Sequence, residues 1–184
     1  MTALKDMKNT LRYKHMIARL STLPPYKKEA QLKKEIVNGK QWRIDAAIEA
    51  INTNPVDWNY VNVTEVMKLA ASFGRLQTVE KIADIMEWKP GARVAQTPVQ
   101  AAFHVASLHG HYRTADAMAK RGAGPMYEAQ GMPSAIYSAI EQADFKKIDY
   151  LLKRGANKDY LVTLASTASK YMEVTKYLVE EKQS

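Results

Sequence analysis

The sequence contains no cysteine, which excludes disulfide bonds, thiolate-held zinc and any thiol nucleophile. No apolar run approaches the ~20 residues that a membrane-spanning helix requires. The opening segment MTALKDMKNTLRYKHMIARL scatters charge throughout and has no continuous apolar centre, so a secretory leader is not expected. Asp6, and the absence of serine before Ser21, argue against a transit segment as well. Catalytic signatures are equally scarce: there is no Walker loop, G-x-S-x-G elbow, H-E-x-x-H pair or dinucleotide fingerprint. The glycine-rich stretch Gly122–Pro125 leads into a polar connecting segment and not into the helix that a phosphate loop needs. Glu80, Asp84 and Glu87 are spaced as on the solvated face of a helix. No catalytic residue, metal or cofactor is assigned on these grounds. The chain is expected not to be an enzyme, and its expected location is cytoplasmic.

What is present is an ordinary apolar content of 46%, enough to build a core, and an unusual distribution of charge. The chain carries a formal net charge of +8, and residues 1–43 account for all of it, since the remainder sums to zero. Lys5, Lys8, Arg12, Arg19, Lys27, Lys28, Lys33 and Lys34 are the core of this excess. An asymmetry of this kind predicts a basic contact surface in the first quarter of the chain.

Internal repetition decides the architecture. Gly39, Gly74, Gly110, Ala143 and Lys170 are separated by 35, 36, 33 and 27 residues. Five residues after each stand Ile44, Val79, Ala115, Ile148 and Thr175, followed by Ala47/Ile48, Ile82/Ala83, Met118/Ala119, Leu151/Leu152 and Leu178/Val179. That spacing lays one apolar stripe along a helix. Small and apolar residues also precede each reference point, as in Met67–Ala71 and Phe103–Ala106. The pattern is helix, tight turn, helix, five times over, and it predicts an all-α solenoid of stacked hairpins. Units are expected at about 26–53, 60–88, 97–124, 133–157 and 160–182. Residues 1–25 are expected to form an N-terminal capping helix and a Pro-Pro linker, with Leu4, Met7, Leu11, Ile17 and Leu20 as its apolar stripe.

Ala101–Pro125, AAFHVASLHGHYRTADAMAKRGAGP, resembles the ankyrin motif TPLHLAAxxGHxxxVxxLLxxGAxP nearly position for position. Ser134–Asp159 matches it again, and Val66–Met86 keeps the LAAxxG core but lacks the Gly-Ala ending. The resemblance covers roughly residues 30–180, and its first and last units are the least similar. It implies glycines in the left-handed conformation at Gly122 and Gly155, where second helices end. It also implies that His104 and His111 tie turns and helices together by hydrogen bonds. They straddle the turn at Gly110, so they do not share a helix face as metal ligands would.

Ankyrin-like proteins bind through the fingers between hairpins and through the exposed side of the inner helices. The resemblance therefore places partner-binding residues at Trp58, Tyr60, Trp88, Arg93 and Tyr127 in the fingers, and at Phe73, Leu108, His109 and Gln142 before the turns. Aromatic and arginine side chains supply most hot spots in protein recognition. The expected function is a protein-binding module, an adaptor or inhibitor acting by surface occupation; the basic first quarter is either a solvated, positively charged cap or a contact for an acidic protein partner. The alternative is a nucleic-acid-associated protein that grips phosphates through residues 1–43.

Overall fold

The computed structural model describes residues 2–87, 96–125, 135–167 and 171–180, with side chains except those of residues 2–9, 96 and 97. Among the described residues all regular structure is helical. The helices are α1 (Thr2–Ser21), α2 (Pro25–Asn38), α3 (Gln41–Asn52), α4 (Val63–Ser72), α5 (Leu76–Ile85), α6 (Gln96–Leu108), α7 (Tyr112–Ala119), α8 (Ala135–Glu141), α9 (Phe145–Lys153), α10 (Lys158–Ser166) and α11 (Met172–Glu180). A short 3-10 helix, Pro55–Tyr60, joins α3 to α4. No described helix is long and apolar enough to cross a membrane.

The boundaries follow local chemistry. Pro25 stands at the first position of α2, where its missing N–H leaves no helical bond unmade, so it opens the helix instead of extending a linker. Asn62, Asp144 and Asn157 cap α4, α9 and α10 by accepting a hydrogen bond from the N–H three residues on. The turns after α2, α4, α6 and α8 reverse the chain at residues with positive φ: Gly39 at 75°, Gly74 at 62°, Gly110 at 73° and Ala143 at 47°. These are four of the five reference points of the sequence pattern; Lys170 lies outside the described residues. Gly122 and Gly155 also take positive φ, and Glu87 does so at the end of α5, where the Gly-Ala ending is missing.

Consecutive helices pair, α2 with α3, α4 with α5, α6 with α7, α8 with α9 and α10 with α11. Alternate helices also touch: α2, α4, α6, α8 and α10 each pack on the next, as α3 does on α5 and α5 on α7. The stripe residues are the core. Ile44, Ile48, Val79, Ile82, Ala115, Met118, Ile148 and Leu151 are essentially fully buried. Leu152, expected beside Leu151, is half-buried against the core. Small residues at Ala46, Ala47, Ala50, Ala70, Ala71, Ala83, Ala102 and Ala106 bring the helix backbones close together. α6 is buried at every position from Val99 to Ser107, and the exposed side expected of this inner helix is met at its C-terminal end, where Leu108 is half-buried and His109 exposed.

Outer helices are linked by a row of polar contacts at about the repeat spacing. Lys81 reaches Asp45 at 3.5 Å, Arg121 bonds Asp84, and Arg154 reaches Asp116 at 2.7 Å. The Tyr150 hydroxyl donates to the same Asp116 at 2.6 Å, and its ring stacks on Tyr112. Burial and the Asp116 carboxylate push the Tyr150 phenol well above its usual range. α1 packs on α3, with Met16 and Leu20 buried and Ile17 half-buried. Leu11, read as part of the same stripe, is instead 61% exposed.

Candidate functional site

The turns bring together what the sequence disperses. The Arg75 guanidinium lies so close to Gly39 that a Cβ there would sit 2.2 Å from it. His111 lies against Gly74 in the same way, and its Nε2 is 3.0 Å from the Ser72 carbonyl. The residue after each turn glycine thus packs on the glycine of the preceding turn. Positive φ favours glycine at both Gly39 and Gly74, and at Gly74 the His111 ring also leaves no room for a Cβ, whereas at Gly39 the long Arg75 side chain could move aside. The first three turns therefore form one continuous edge.

Along that edge the helix ends present apolar and cationic groups. Trp42 is 40% and Phe73 42% exposed, and Val37 is also exposed. Leu108 is half-buried and His109 exposed. Lys40, Arg75 and His111 occupy the N-caps of α3, α5 and α7, none with a side-chain capping bond. Arg43 and Arg113 follow in the first turns of α3 and α7. From Val37 to Arg43, Ser72 to Gln77 and Leu108 to Arg113 the sequence holds no acid.

At its N-terminal end the edge opens into a cleft of about 560 Å³ between α1 and the start of α3. Arg12, Arg19, Lys40, Arg43 and His15 line it, together with Leu11, Met16 and Trp42. The Arg43 guanidinium sits 5.5 Å from the centre of the Trp42 ring. Its NH1 lies 3.5 Å from the carboxylate of Glu35, which is itself buried.

Of the residues expected to bind a partner, the edge unites Phe73, Leu108 and His109. Gln142 is exposed on the fourth turn, where it accepts a bond from the Lys147 ammonium at 3.2 Å. Tyr60 is exposed, but at the opposite end of α4 from Phe73. Trp58 is a correction: it is only 7% exposed and belongs to the core, because the 3-10 helix folds its ring inward. Trp88, Arg93 and Tyr127 lie outside the described residues.

The basic surface also divides. Arg12, Arg19, Lys27 and Lys34 are exposed, and Lys33 is half-buried with Glu29 at 2.6 Å. The side chains of Lys5 and Lys8 lie outside the described residues. Lys28 is the second correction. It is 3% exposed, its ammonium 2.6 Å from Asp57 and donating to the Ala50 carbonyl at 3.1 Å. A charge in that position is a structural pair, not a contact surface.

His104 is buried and accepts from the Ala135 N–H at 3.0 Å, while the Gln100 side chain exchanges two hydrogen bonds with the Gly124 backbone. His104 and His111 therefore serve structure. Among the described residues no group of three or more His, Asp or Glu is placed to hold a metal ion. Sequence reasoning missed Trp42 and His15. The available signal for Trp42 was its position on α3, on the far side of the helix from Ile44, Ala47, Ile48 and Ile51. No protein-family model matches the chain, and no curated protein or solved structure matches it significantly.

Proposed function

We propose that the chain is a non-catalytic, ankyrin-like solenoid that binds another protein along its turn edge. The observation that carries this reading is the exposure of Val37, Trp42 and Phe73 among cations, of which Arg43 is paired with the buried Glu35 while the turn segments themselves hold no acid. Aromatic side chains left half in water, ringed by arginine, have the composition of an interface centre. Support for the architecture comes from the recurring left-handed turns and from alternate helices packing on one another. A cytoplasmic site of action belongs to the same proposal.

The test is affinity capture from the native cell, with and without nuclease, comparing wild type with Phe73→Glu. Phe73 lies at the end of α4 with much of its ring in water, so the variant is expected to keep its melting temperature. Capture of a protein that survives nuclease and is lost in Phe73→Glu is the expected outcome. Capture that vanishes with nuclease would replace this function with nucleic-acid binding through residues 1–43. In that case log affinity should fall with log salt by about 0.9 per phosphate neutralised.

A further inference from the structure

The cleft between α1 and α3 has features that a mere solvated cap does not need. Four permanent cations, Arg12, Arg19, Lys40 and Arg43, converge on it with His15, and no acid lines it. Lys40 is the N-cap of α3, which has no acid in its first turn and Arg43 within it. A helix N-terminus already carries partial positive charge, so cations there repel the end they decorate. An anion in the cleft would reverse that repulsion and meet several donors at once.

The cleft wall is not purely polar. Leu11 projects with most of its side chain in water, beside Met16 and the Trp42 ring. Leaving leucine and tryptophan exposed beside four cations suits a ligand that alternates negative and apolar groups. The geometry points to this cleft as the anchor for a carboxylate-rich, leucine- or phenylalanine-bearing segment of the partner polypeptide. The inference rests on the turn edge being a protein-binding surface, and it assigns the charge and the seat of the partner's segment. Carboxylates meet Arg12, Arg19 and Lys40, while an apolar side chain covers Leu11 and Trp42. A nucleobase is the weaker fit, because Arg43 already lies over the Trp42 ring on which a base would stack.

The experiment measures fluorescence anisotropy of three labelled probes on the full chain. They are a short peptide alternating Glu with Leu and Phe, the same peptide with Gln for Glu, and oligothymidylate of similar length. The acidic peptide is expected to bind at about 150 mM salt and the Gln peptide about tenfold more weakly, since each lost charge-assisted bond weakens binding severalfold. Arg12→Glu with Arg19→Glu should weaken the acidic peptide by at least about tenfold. Both arginines are exposed, so the melting temperature should hold. Lys153→Glu, exposed at the end of α9 and outside both the cleft and the turn edge, should leave acidic-peptide binding within about twofold, because distant sites act independently. Tighter binding of oligothymidylate than of the acidic peptide overturns the inference, as does equal binding of the Glu and Gln peptides or no binding by any probe. If the cleft fails while nuclease-resistant capture still depends on Phe73, the turn edge stands and only this anchor is wrong.

Discussion

The first and fourth hairpins turn at corresponding points and carry opposite chemistry there. Each reverses its chain at a positive φ, 75° at Gly39 and 47° at Ala143. Each also buries one lysine, Lys28 and Lys147, at 3% exposure. In the fourth hairpin the turn satisfies its own lysine: the Asp144 carboxylate lies 3.2 Å from Lys147, and the Gln142 side chain accepts from the same ammonium. Asp144 also caps α9. In the first hairpin the buried lysine is paired elsewhere, with Asp57, and the turn carries Lys40, which caps nothing. One turn is closed upon itself; the other leaves positive charge facing outward. The two hairpins thus differ at the residue after the turn: Asp144 caps its helix and pairs a buried lysine, and Lys40 does neither.

The largest effect expected from breaking this comparison is at the first hairpin's buried pair. Asp57→Ala leaves the Lys28 ammonium with the Ala50 carbonyl but no counter-charge, and should cost about 3–5 kcal/mol. A loss below about 1 kcal/mol in denaturant titration would mean that Lys28 turns out to water.

Next come the turn glycines. Gly74→Ala must both adopt positive φ and displace the His111 ring, whose Nδ1 would lie 2.7 Å from the new Cβ. Gly110→Ala meets nothing within 4 Å and faces only the backbone penalty, because the fourth turn does not press on the third. The expected losses are about 2–3 kcal/mol for the former and about 1 kcal/mol for the latter. Equal losses would show that the turns do not stack as described.

Asp144→Ala should cost about 1–2 kcal/mol through the lost cap and the lost counter-charge of Lys147, less than Asp57→Ala because Asp144 is itself partly exposed and the ammonium keeps the Gln142 side chain. Partial burial works to raise the Asp144 pKa, but the hydrogen bonds and charge of Lys147 outweigh it, and the carboxyl lies below its usual value. The unfolded chain therefore takes up this proton first as pH falls. The stabilisation is present at neutral pH and disappears as pH drops through the folded-state pKa. The gap between wild type and Asp144→Ala should accordingly narrow in acid. A gap that is constant with pH would assign the effect to helix propensity alone.

The glycine turns were legible in the sequence because their spacing and their conformational demand point the same way. Ala143 was found by spacing alone, and its positive φ followed. Glu87 takes the same conformation with neither glycine nor asparagine to announce it. Charge counting located the basic quarter but could not separate Lys28 from Lys27, since burial depends on Asp57, 29 residues away in another element. Trp58 and Leu11 exchanged their expected roles for a related reason. A tryptophan between hairpins and a leucine on an amphipathic helix have the same local signal whichever way the element is rotated. Only packing against α2, α3 and α4 decides that.

The smallest stability change, and the sharpest test of the contrast, is to give the first turn the fourth turn's residue. Lys40→Asp replaces an exposed cation at the N-cap of α3 with a side chain that accepts hydrogen bonds from the free N–H groups of the first turn. It also sets negative charge against the positive end of the helix. Both changes favour the folded state, so the variant should gain about 0.5–1 kcal/mol in denaturant titration. The same substitution removes one of the four cations of the α1–α3 cleft and adds a repelling carboxylate beside Arg43, which is already held by Glu35. Binding of the acidic peptide should then fall by about tenfold at physiological salt, where a contact this close is only weakly screened. Stability and binding are expected to move in opposite directions from a single side chain, as they do when a site is kept at the expense of the helix that carries it. A variant that is more stable and binds equally well would show that Lys40 is only a poor cap.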